Sequence, residues 1–242
     1  GDIKPRKNSI TFRSIKRLMG KNTDDLEKEN FYFPCEYFED NNIIKFKVFK
    51  KIITPVEISA EILKNLKKIS EETLDGEIAG CVITVPAYFD DAQRQATKDA
   101  AALSGLKVLR LLNEPTAAAI AYGLQKKETS KIMVYDLGGG TFDVSILDLK
   151  DGVFKVLSTG GDSNLGGDDI DTLIAKHIEK KLNLDLNKEE RYKLYLLSKD
   201  IKIMLSSNET VNITLDQIGI FSKNLTITKK EFNDLIKKLI KK

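Results

Sequence analysis

The chain has 242 residues, which allows a large hydrophobic core in one or two domains. Its 39 basic and 36 acidic residues leave a formal charge of +3, and the basic residues, mostly lysines, are scattered among Asn and Ile. This distribution argues against nucleic-acid binding. The start of the chain lacks the apolar stretch of a signal peptide, and no apolar run approaches the roughly 20 residues that span a bilayer. We therefore expect a cytoplasmic protein with no membrane partner.

The cysteine and histidine content argues against catalysis or metal binding through these residue types. Cys35 and Cys81 match no metal-ligand spacing, which favours buried thiols in a reducing compartment. Two cysteines cannot by themselves supply the four thiolates of an iron–sulfur cluster. The one histidine, His177, lies among apolar residues at helical spacing and is expected to be packed or half-buried. Acid–base chemistry through histidine is therefore not expected.

The region before residue 75 is predicted to combine a basic cluster, short strands and one long helix. Lys16 and Arg17 interrupt an apolar run, a pattern that by itself is typical of the solvated edge of a helix. Short strands are expected within residues 32–51, around a turn at 39–42. The capping box Thr54-Pro55-Val56-Glu57 then predicts the start of a helix. Its apolar face is formed by Ile58, Ile62, Leu66, Ile69 and Leu74.

The next part of the chain is predicted to alternate strand and helix, which indicates an α/β layer architecture. A buried strand is expected at 81–85, a helix from about 90 to 104 and a second strand at 106–112. A helix of small residues, 117–124, follows. Glu114 stands at the carboxyl end of the second strand, where the ligands of α/β sheets tend to bind.

The stretch 132–149 is the strongest candidate for a phosphate site. Two β-prone apolar runs flank Asp136, the three consecutive glycines 138–140, Thr141 and Asp143. Because glycines lack Cβ atoms and accept positive φ, successive N–H groups can converge on phosphate oxygens. The glycines are followed by another strand and not by the Lys and helix of a Walker loop, so we expect a β-hairpin to hold the anion. The alternative is a plain glycine-rich turn between two buried strands.

A second glycine-rich segment, 160–168, follows a strand predicted at 154–158. Two phosphate-loop candidates within about thirty residues favour a single nucleotide site over two unrelated turns. The rest of the chain is predicted to hold a helix through 170–178, a Leu-rich helix from 187 to 207, short strands at 211–215 and 225–227 and a capping box at 228–231.

Five motifs resemble the nucleotide-binding domain of the DnaK-type heat-shock chaperones, in the family's order and over essentially the whole chain. They are residues 85–89 (VPAYF), 93–100 (QRQATKDA), 113–119 (NEPTAAA), 136–143 (DLGGGTFD) and 165–168 (LGGD). Four others look most like the HscA branch of that family, which serves iron–sulfur cluster assembly. These are residues 16–20 (KRLMG), 89–92 (FDDA), 109–112 (LRLL) and 159–163 (TGGDS).

The resemblance implies an actin-like, ribonuclease H-like ATPase fold in which two lobes enclose ATP and Mg²⁺. Residues 1–125 would form most of lobe I, and residues 126–242 would form part of lobe II. The family's first phosphate hairpin and last adenosine loop have no counterpart in this sequence. We therefore expect a piece of a longer protein that by itself binds ATP weakly or not at all.

The resemblance also implies roles for individual residues. Lys16 would be the catalytic lysine that places the attacking water or the γ-phosphate, which replaces the interpretation as a solvated edge. Glu114, Asp136 and Asp143 would hold Mg²⁺, mostly through water, and Thr141 would contact the γ-phosphate. Backbone contacts to phosphate would come from Gly138, Gly139, Gly140, Gly160, Gly161, Gly166 and Gly167.

The adenosine would be contacted by Lys202 and Ser206, which match family positions of the adenine clasp. Lys199 stands where DnaK has a glutamate in that clasp, and this departure bears on how tightly the nucleotide is retained.

Regulation and partners follow from the same resemblance. Pro86 and Arg94 match the family's allosteric relay, and Arg110 lies where its J-domain cochaperone docks. The expected partners are a J-domain cochaperone and an iron–sulfur scaffold protein as client, with the protein itself monomeric.

Three further functions stay open. A general protein-folding chaperone of the DnaK type would share the five family motifs. A small-molecule kinase of the actin-like superfamily would also use glycine-rich hairpins to bind phosphate. An interaction module with decayed nucleotide binding would fit Lys199 and the missing elements.

Overall fold

The computed structural model describes residues 10–28, 32–122, 129–162, 165–220 and 223–241, and within them the chain is a mixed α/β structure with four separate sheets. The first elements are a 3-10 helix (Ile15–Leu18), α1 (Thr23–Lys28), β1 (Glu36–Asp40), β2 (Ile43–Val48), β3 (Lys51–Ile53), α2 (Pro55–Leu74), β4 (Cys81–Val85), α3 (Asp91–Leu103), β5 (Val108–Asn113) and α4 (Glu114–Ala121). The others are β6 (Ser130–Leu137), β7 (Phe142–Lys150), β8 (Val153–Asp162), α5 (Gly167–Lys181), α6 (Lys188–Ser207), β9 (Thr210–Thr214), a second 3-10 helix (Leu215–Ile218), β10 (Asn224–Thr228) and α7 (Lys229–Ile240).

Three helices begin at caps that the sequence supplies. Thr54, Asp90 and Asn187 each accept a hydrogen bond from the N–H of the third helical residue, whose side chain accepts one from the cap's own N–H. These reciprocal bonds satisfy two N–H groups that a helix start otherwise leaves unpaired. Gly105, with φ of 75°, follows the end of α3 in the left-handed conformation that glycine favours there. The predicted starts of α2, α3 and α6 are confirmed.

The second predicted capping box, at residues 228–231, forms only in part. Thr228 accepts from the N–H of Glu231, as predicted. The Glu231 carboxylate does not return to the cap, because its Oε1 lies 2.7 Å from both His177 Nε2 and Lys181 Nζ on α5. A tertiary contact has therefore replaced the second half of the box.

Two sheets determine where the site lies. β4 and β5 are parallel and pair Val85 with Asn113, so that Pro86 and Glu114 emerge at the same edge. β6, β7 and β8 form an antiparallel meander in which Asp136 faces Asp143. The predicted hairpin is confirmed, whereas β8 is longer than the predicted strand 154–158 because it continues through Gly160 and Gly161 to Asp162.

The buried residues fall into three clusters that divide along the sequence. Two of them draw on residues 15–100, and the largest is built from α5, α6, β9 and β10 and the 3-10 helix between the last two. The predicted boundary of the lobes, between residues 125 and 126, lies outside the described residues, so the division into lobes stays a prediction. Across the described ranges, no helix has the length and apolarity needed to cross a membrane.

The packing of α2 and β4 differs from the prediction. Ile62, Leu66 and Ile69 on the apolar face of α2 are 51%, 52% and 49% exposed, and Leu74 is 69% exposed. In β4 Val85 is buried, but Val82 is 54% exposed. Helical and strand periodicity identifies side chains that share a face, but it does not show that another element covers that face. The described elements leave both faces largely uncovered.

Candidate functional site

The glycine turn between β6 and β7 is held from outside by the first turn of α5. The N–H of Gly138 donates to Thr141 O at 2.9 Å and closes the turn. The N–H groups of Gly167 and Asp168, at the start of α5, donate to Gly138 O at 3.1 Å and to Gly139 O at 2.8 Å. The next carbonyl, that of Gly140, accepts a hydrogen bond from Arg17 Nε. Three consecutive carbonyls are thus fixed.

Because these three carbonyls are fixed, the N–H groups of the same three peptides are oriented as well. A trans peptide points its N–H opposite to its C=O, and the described residues contain no cis peptide bond. The N–H groups of Gly139, Gly140 and Thr141 are therefore turned away from the groups that hold the carbonyls. Successive N–H groups of this kind form a site for an anion such as phosphate.

Close backbone contacts explain two of the glycines. A Cβ atom on Gly166 would overlap the carbonyl of Gly139, and one on Gly161 would overlap the carbonyl of Phe142. Gly161 also has a φ of 153°, which L-residues rarely adopt. Both positions let the second glycine-rich segment lie directly against the hairpin.

A cavity of about 260 Å³ lies beside the glycine turn. Its lining includes Lys16, Glu114, Asp136, Gly138, Gly139, Gly140 and Thr141. These residues come from three separate parts of the sequence, with Lys16 and Glu114 98 positions apart, and the structure brings them to one place. The volume is below the roughly 300–1,000 Å³ of typical ligand pockets, so the cavity would hold only part of a nucleotide.

The charged side chains that line the cavity are three cations, Lys16, Arg17 and Lys21, and the carboxylates of Glu114 and Asp136. Lys16 Nζ lies 2.6 Å from Glu114 Oε1, with the lysine side chain 49% exposed at the cavity. Asp143 is buried beside the cavity, where its Oδ2 accepts a 3.0 Å hydrogen bond from Thr141 Oγ1. Its Oδ1 has no hydrogen-bond partner among the residues that the structure describes. A buried, half-satisfied carboxylate beside an open cavity is a candidate cation ligand.

The electrostatics of Asp143 support that assignment. Burial is the largest influence on the pKa of its carboxyl group and raises it; the hydrogen bond from Thr141 and the charge of Lys16 oppose that rise, and the charges of Glu114 and Asp136 add to it. A cation would relieve this repulsion. Within the described ranges no three carboxylate, Cys or His side chains are close enough to bind one ion directly. The donor set therefore suits a hydrated divalent ion such as Mg²⁺, which keeps several of its waters.

Two predicted adenosine contacts lie elsewhere, on α6. Lys202 Nζ forms an ion pair of 2.6 Å with Asp171 Oδ1 and donates a 2.8 Å hydrogen bond to Gly167 O. Asp171 is 1% exposed, and burial raises the pKa of its carboxyl group although Lys202 opposes that rise. Ser206 donates to Lys202 O one turn away. Neither Lys202 nor Ser206 lines the cavity, whereas Lys199 is exposed on the same helix.

The predicted relay residues are connected to Glu114. Arg94 donates from Nε to Phe89 O at 2.9 Å and from Nη2 to Asn113 Oδ1 at 3.0 Å, with a longer bond of 3.4 Å to Pro86 O. Arg94 thus links Pro86, which follows β4, to Asn113. Asn113 precedes Glu114, the residue that pairs with Lys16.

The predicted cochaperone position lies in a different, open groove. Arg110 lines it together with Arg94 and Lys98, between α3 and β5, and its volume is about 810 Å³. The groove carries three cationic side chains and one described carboxylate, that of Asp91.

Several residues at the site were not predicted from the sequence. Tyr88 lines the cavity, and burial together with the charge of Asp143 raises the pKa of its hydroxyl to about 12. Arg17 is buried, whereas its pattern predicts solvation. Asp169 on α5 pairs with it. The one available signal for Arg17 was its place beside Lys16 within an apolar run.

Comparison with known proteins identifies the family. A family model described as Hsp70 protein matches residues 4–242. Proteins named "Chaperone protein HscA homolog" are similar to the chain: that of Histophilus somni is 51% identical over 234 residues, 96% of this chain and 37% of the relative. The homologue of Vibrio parahaemolyticus is 49% identical over 235 residues, with the same coverage of both chains. That of Shewanella putrefaciens is 50% identical over 239 residues, 98% of this chain and 38% of the relative.

The chain therefore spans little more than a third of the length of these relatives. Their names confirm both the predicted family and its predicted branch. The family match covers the hairpin, the cavity and α5 alike, so the site described above lies within the matched region. The chain belongs to the Hsp70 family.

Proposed function

We propose that this chain is part of the ATPase domain of a chaperone that acts in the maturation of iron–sulfur proteins. The fold would be the actin-like, two-lobed ATPase fold of the family, with ATP and Mg²⁺ bound between the lobes. The partners would be a J-domain cochaperone and an iron–sulfur scaffold protein as client. Chaperone names on relatives about half identical to the chain support this branch of the family.

One observation carries the proposal: oriented N–H groups and the cationic side chain of Lys16 meet at one cavity, and Thr141 of its lining is hydrogen-bonded to the half-satisfied carboxylate of Asp143. Hydrolysis of a phosphoanhydride depends on positioning and on neutralising charge more than on a strong base. The N–H groups of Gly139, Gly140 and Thr141 would bind phosphate oxygens, and Lys16 would orient the attacking water. The lack of a histidine at the cavity is then no obstacle.

The acidic residues would serve the metal ion. Asp143, Asp136 and Glu114 would accept hydrogen bonds from its water ligands, which would satisfy the unpaired Oδ1 of Asp143. Mg²⁺, when bound, would supply positive charge next to the phosphate oxygens. Glu114 would also hold Lys16 in place through their 2.6 Å contact.

The test is single-turnover ATP hydrolysis by the full-length protein and by its Lys16→Ala variant. We expect a rate for the variant that is lower by about a hundredfold or more, because a positioned charge at the reacting group is removed. Equal rates would instead support a module with decayed nucleotide chemistry.

The branch within the family needs its own experiment. Turnover of the full-length protein is measured with and without the dedicated J-domain protein and the recognition peptide of the scaffold. Stimulation by both is the expected result. Hydrolysis without stimulation would favour a general DnaK-type chaperone, and phosphate transfer to a sugar would favour a kinase.

A further inference from the structure

Arg17 connects three parts of the site at once. Its side chain is 5% exposed, and Nε donates to Gly140 O in the glycine turn. Nη2 lies 2.5 Å from Asp169 Oδ2 in the first turn of α5, and Nη1 lies 3.4 Å from Asp169 Oδ1. Arg17 itself belongs to the 3-10 helix that carries Lys16. The guanidinium therefore connects the 3-10 helix that carries Lys16, the glycine turn and α5.

A guanidinium is well suited to bind Gly140 O and the Asp169 carboxylate at the same time. Its planar fork has donors at fixed positions, so Nε and Nη2 can bind a carbonyl and a carboxylate side by side. A lysine ammonium is a single point and cannot span both acceptors in the same way. Burial has the largest effect on the pKa of Asp169 and raises it, whereas the hydrogen bond and the charge of Arg17 oppose that rise. The buried charge of Arg17 is thus paired with a half-buried carboxylate.

A neighbouring contact points to the same function. Ser14, which precedes the 3-10 helix, donates through Oγ to Asp168 Oδ2 on α5. The N–H of Asp168 in turn donates to Gly139 O at 2.8 Å. Residues 14–17 therefore contact both acidic residues at the start of α5, the same turn that holds the glycine carbonyls. A shift of the 3-10 helix would move the glycine turn with it.

We propose that Arg17 is a positioning residue for ATP hydrolysis, an inference that rests on the proposed function. By holding Gly140 O, it fixes the Gly140–Thr141 peptide and keeps the Thr141 N–H at a set distance from Lys16. It acts through this peptide and through Lys16. Its loss should reduce the rate of the chemical step more than it reduces affinity for ATP.

The experiment uses the full-length protein and its Arg17→Lys variant, which retains the positive charge. We expect the single-turnover rate of ATP hydrolysis to fall about ten- to a hundredfold, because a misplacement of about 1 Å costs rates of this size. The dissociation constant for ATP should change less than about threefold. Asp169→Asn, which leaves the contact with Gly140 O in place, should reduce the rate by less.

The matched control is Arg191→Lys. Arg191 also forms a 2.6 Å ion pair with a carboxylate of α5, that of Glu179, but it lies on α6 and does not line the cavity. We expect this variant to keep the wild-type rate. A loss of rate and affinity in equal measure for Arg17→Lys, or a loss as large for the control, would overturn the positioning role.

Amide hydrogen exchange separates this inference from the proposed function. The N–H groups of Gly138, Gly167 and Asp168 are the donors that hold the turn, and Arg17→Lys should raise their exchange rates about tenfold without nucleotide. If the wild-type protein hydrolyses no ATP, the proposed function fails. Hydrogen exchange then still tests whether Arg17 holds the glycine turn in place. Unchanged exchange would overturn the inference. If Arg17→Lys does not fold, Arg17→Gln replaces it in both measurements, with the same expected and contradicting results.

Discussion

Asp136 and Asp143 face each other directly across the β6–β7 pair, next to the glycine turn. Like charges in opposed positions of an antiparallel pair are destabilising, and Glu114 adds to the repulsion at Asp143. Lys16 lies at the exposed side of this group and pairs with Glu114. The arrangement therefore lowers the stability of the cation-free protein and favours the binding of a cation.

We predict that Asp143→Asn stabilises the protein without Mg²⁺ and nucleotide, by about 1 kcal/mol, and nearly abolishes hydrolysis. The pKa of Asp143 is raised in the folded state above the ordinary value of about 3.9. Its ionisation thus costs stability as pH rises from the unfolded pKa to the folded pKa. The gain from Asn should be absent near pH 3 and complete at neutral pH.

Urea denaturation of both proteins at these two pH values measures the effect. Added Mg²⁺ with ATP should reverse it, because only the wild-type carboxylate would bind the hydrated ion. A gain of equal size at both pH values would contradict the explanation through charge. Thr172→Val, at a hydroxyl that bonds Asp168 O within α5, serves as a control for polar changes outside the cavity.

The contacts of Glu231 predict an acid-sensitive link between α5 and α7. Burial acts to raise the pKa of Glu231, but hydrogen bonds from Lys181 and His177 outweigh it and the pKa is lowered. The stability that this group contributes is therefore present above its unfolded pKa of about 4.3 and is lost as pH falls through the folded pKa.

We expect Glu231→Gln to cost about 1 kcal/mol at neutral pH, and this cost should shrink as pH falls from about 4.3 through the lowered folded pKa of Glu231. Thermal unfolding across this range is the measurement. Glu189→Gln is a suitable control because its partner Lys193 lies one turn along the same helix and Glu189 is 75% exposed. A cost for Glu231→Gln that does not depend on pH would contradict the role of its charge.

Much of the fold could be predicted because local signals specify it. Thr54, Asp90 and Asn187 set helix starts through their own capping bonds. The glycines of the hairpin and the β-prone runs around them define β6 and β7. Burial could not be predicted in this way, since Ile62 and Leu66 have helical spacing and remain about half exposed.

The site was only partly accessible from the sequence for a similar reason. Acidic residues and glycines have short-range signals, so Asp136, Asp143 and the glycine turn stood out. Arg17 depends on Gly140 and on Asp169, which are 123 and 152 residues away. The local sequence does not distinguish an arginine that tertiary contacts bury from one that is exposed to solvent.

The Lys202–Asp171 pair predicts a large loss of stability in one variant. Lys202→Met would leave the Asp171 carboxylate, which is 1% exposed, without its cation. Breaking one side of a buried ion pair costs about 3–5 kcal/mol. Lys199→Met, at an exposed lysine of the same helix, should cost less than about 0.5 kcal/mol.

Urea unfolding compares these two variants, and Lys202→Met/Asp171→Leu tests the cause. Removing both charges should restore most of the loss, since the penalty arises from the unpaired carboxylate. If the double variant is no more stable than Lys202→Met, the ion pair does not explain the loss. If ATP affinity falls in the stable double variant, Lys202 also serves the nucleotide.

The affinity of the 242-residue chain for ATP can be predicted from its cavity. The cavity of about 260 Å³ would hold the phosphate end of a nucleotide, while Lys202 and Ser206 lie outside its lining. Contacts to one end of a flexible ligand must offset the entropy lost on binding with little help from the base and ribose. We therefore expect no saturation by ATP with Mg²⁺ at micromolar concentrations when the chain is tested alone. Isothermal titration calorimetry is the measurement, with the full-length protein as positive control and circular dichroism to show that the chain is folded. A micromolar dissociation constant for the chain alone would mean that this cavity and its surroundings already form a complete nucleotide site.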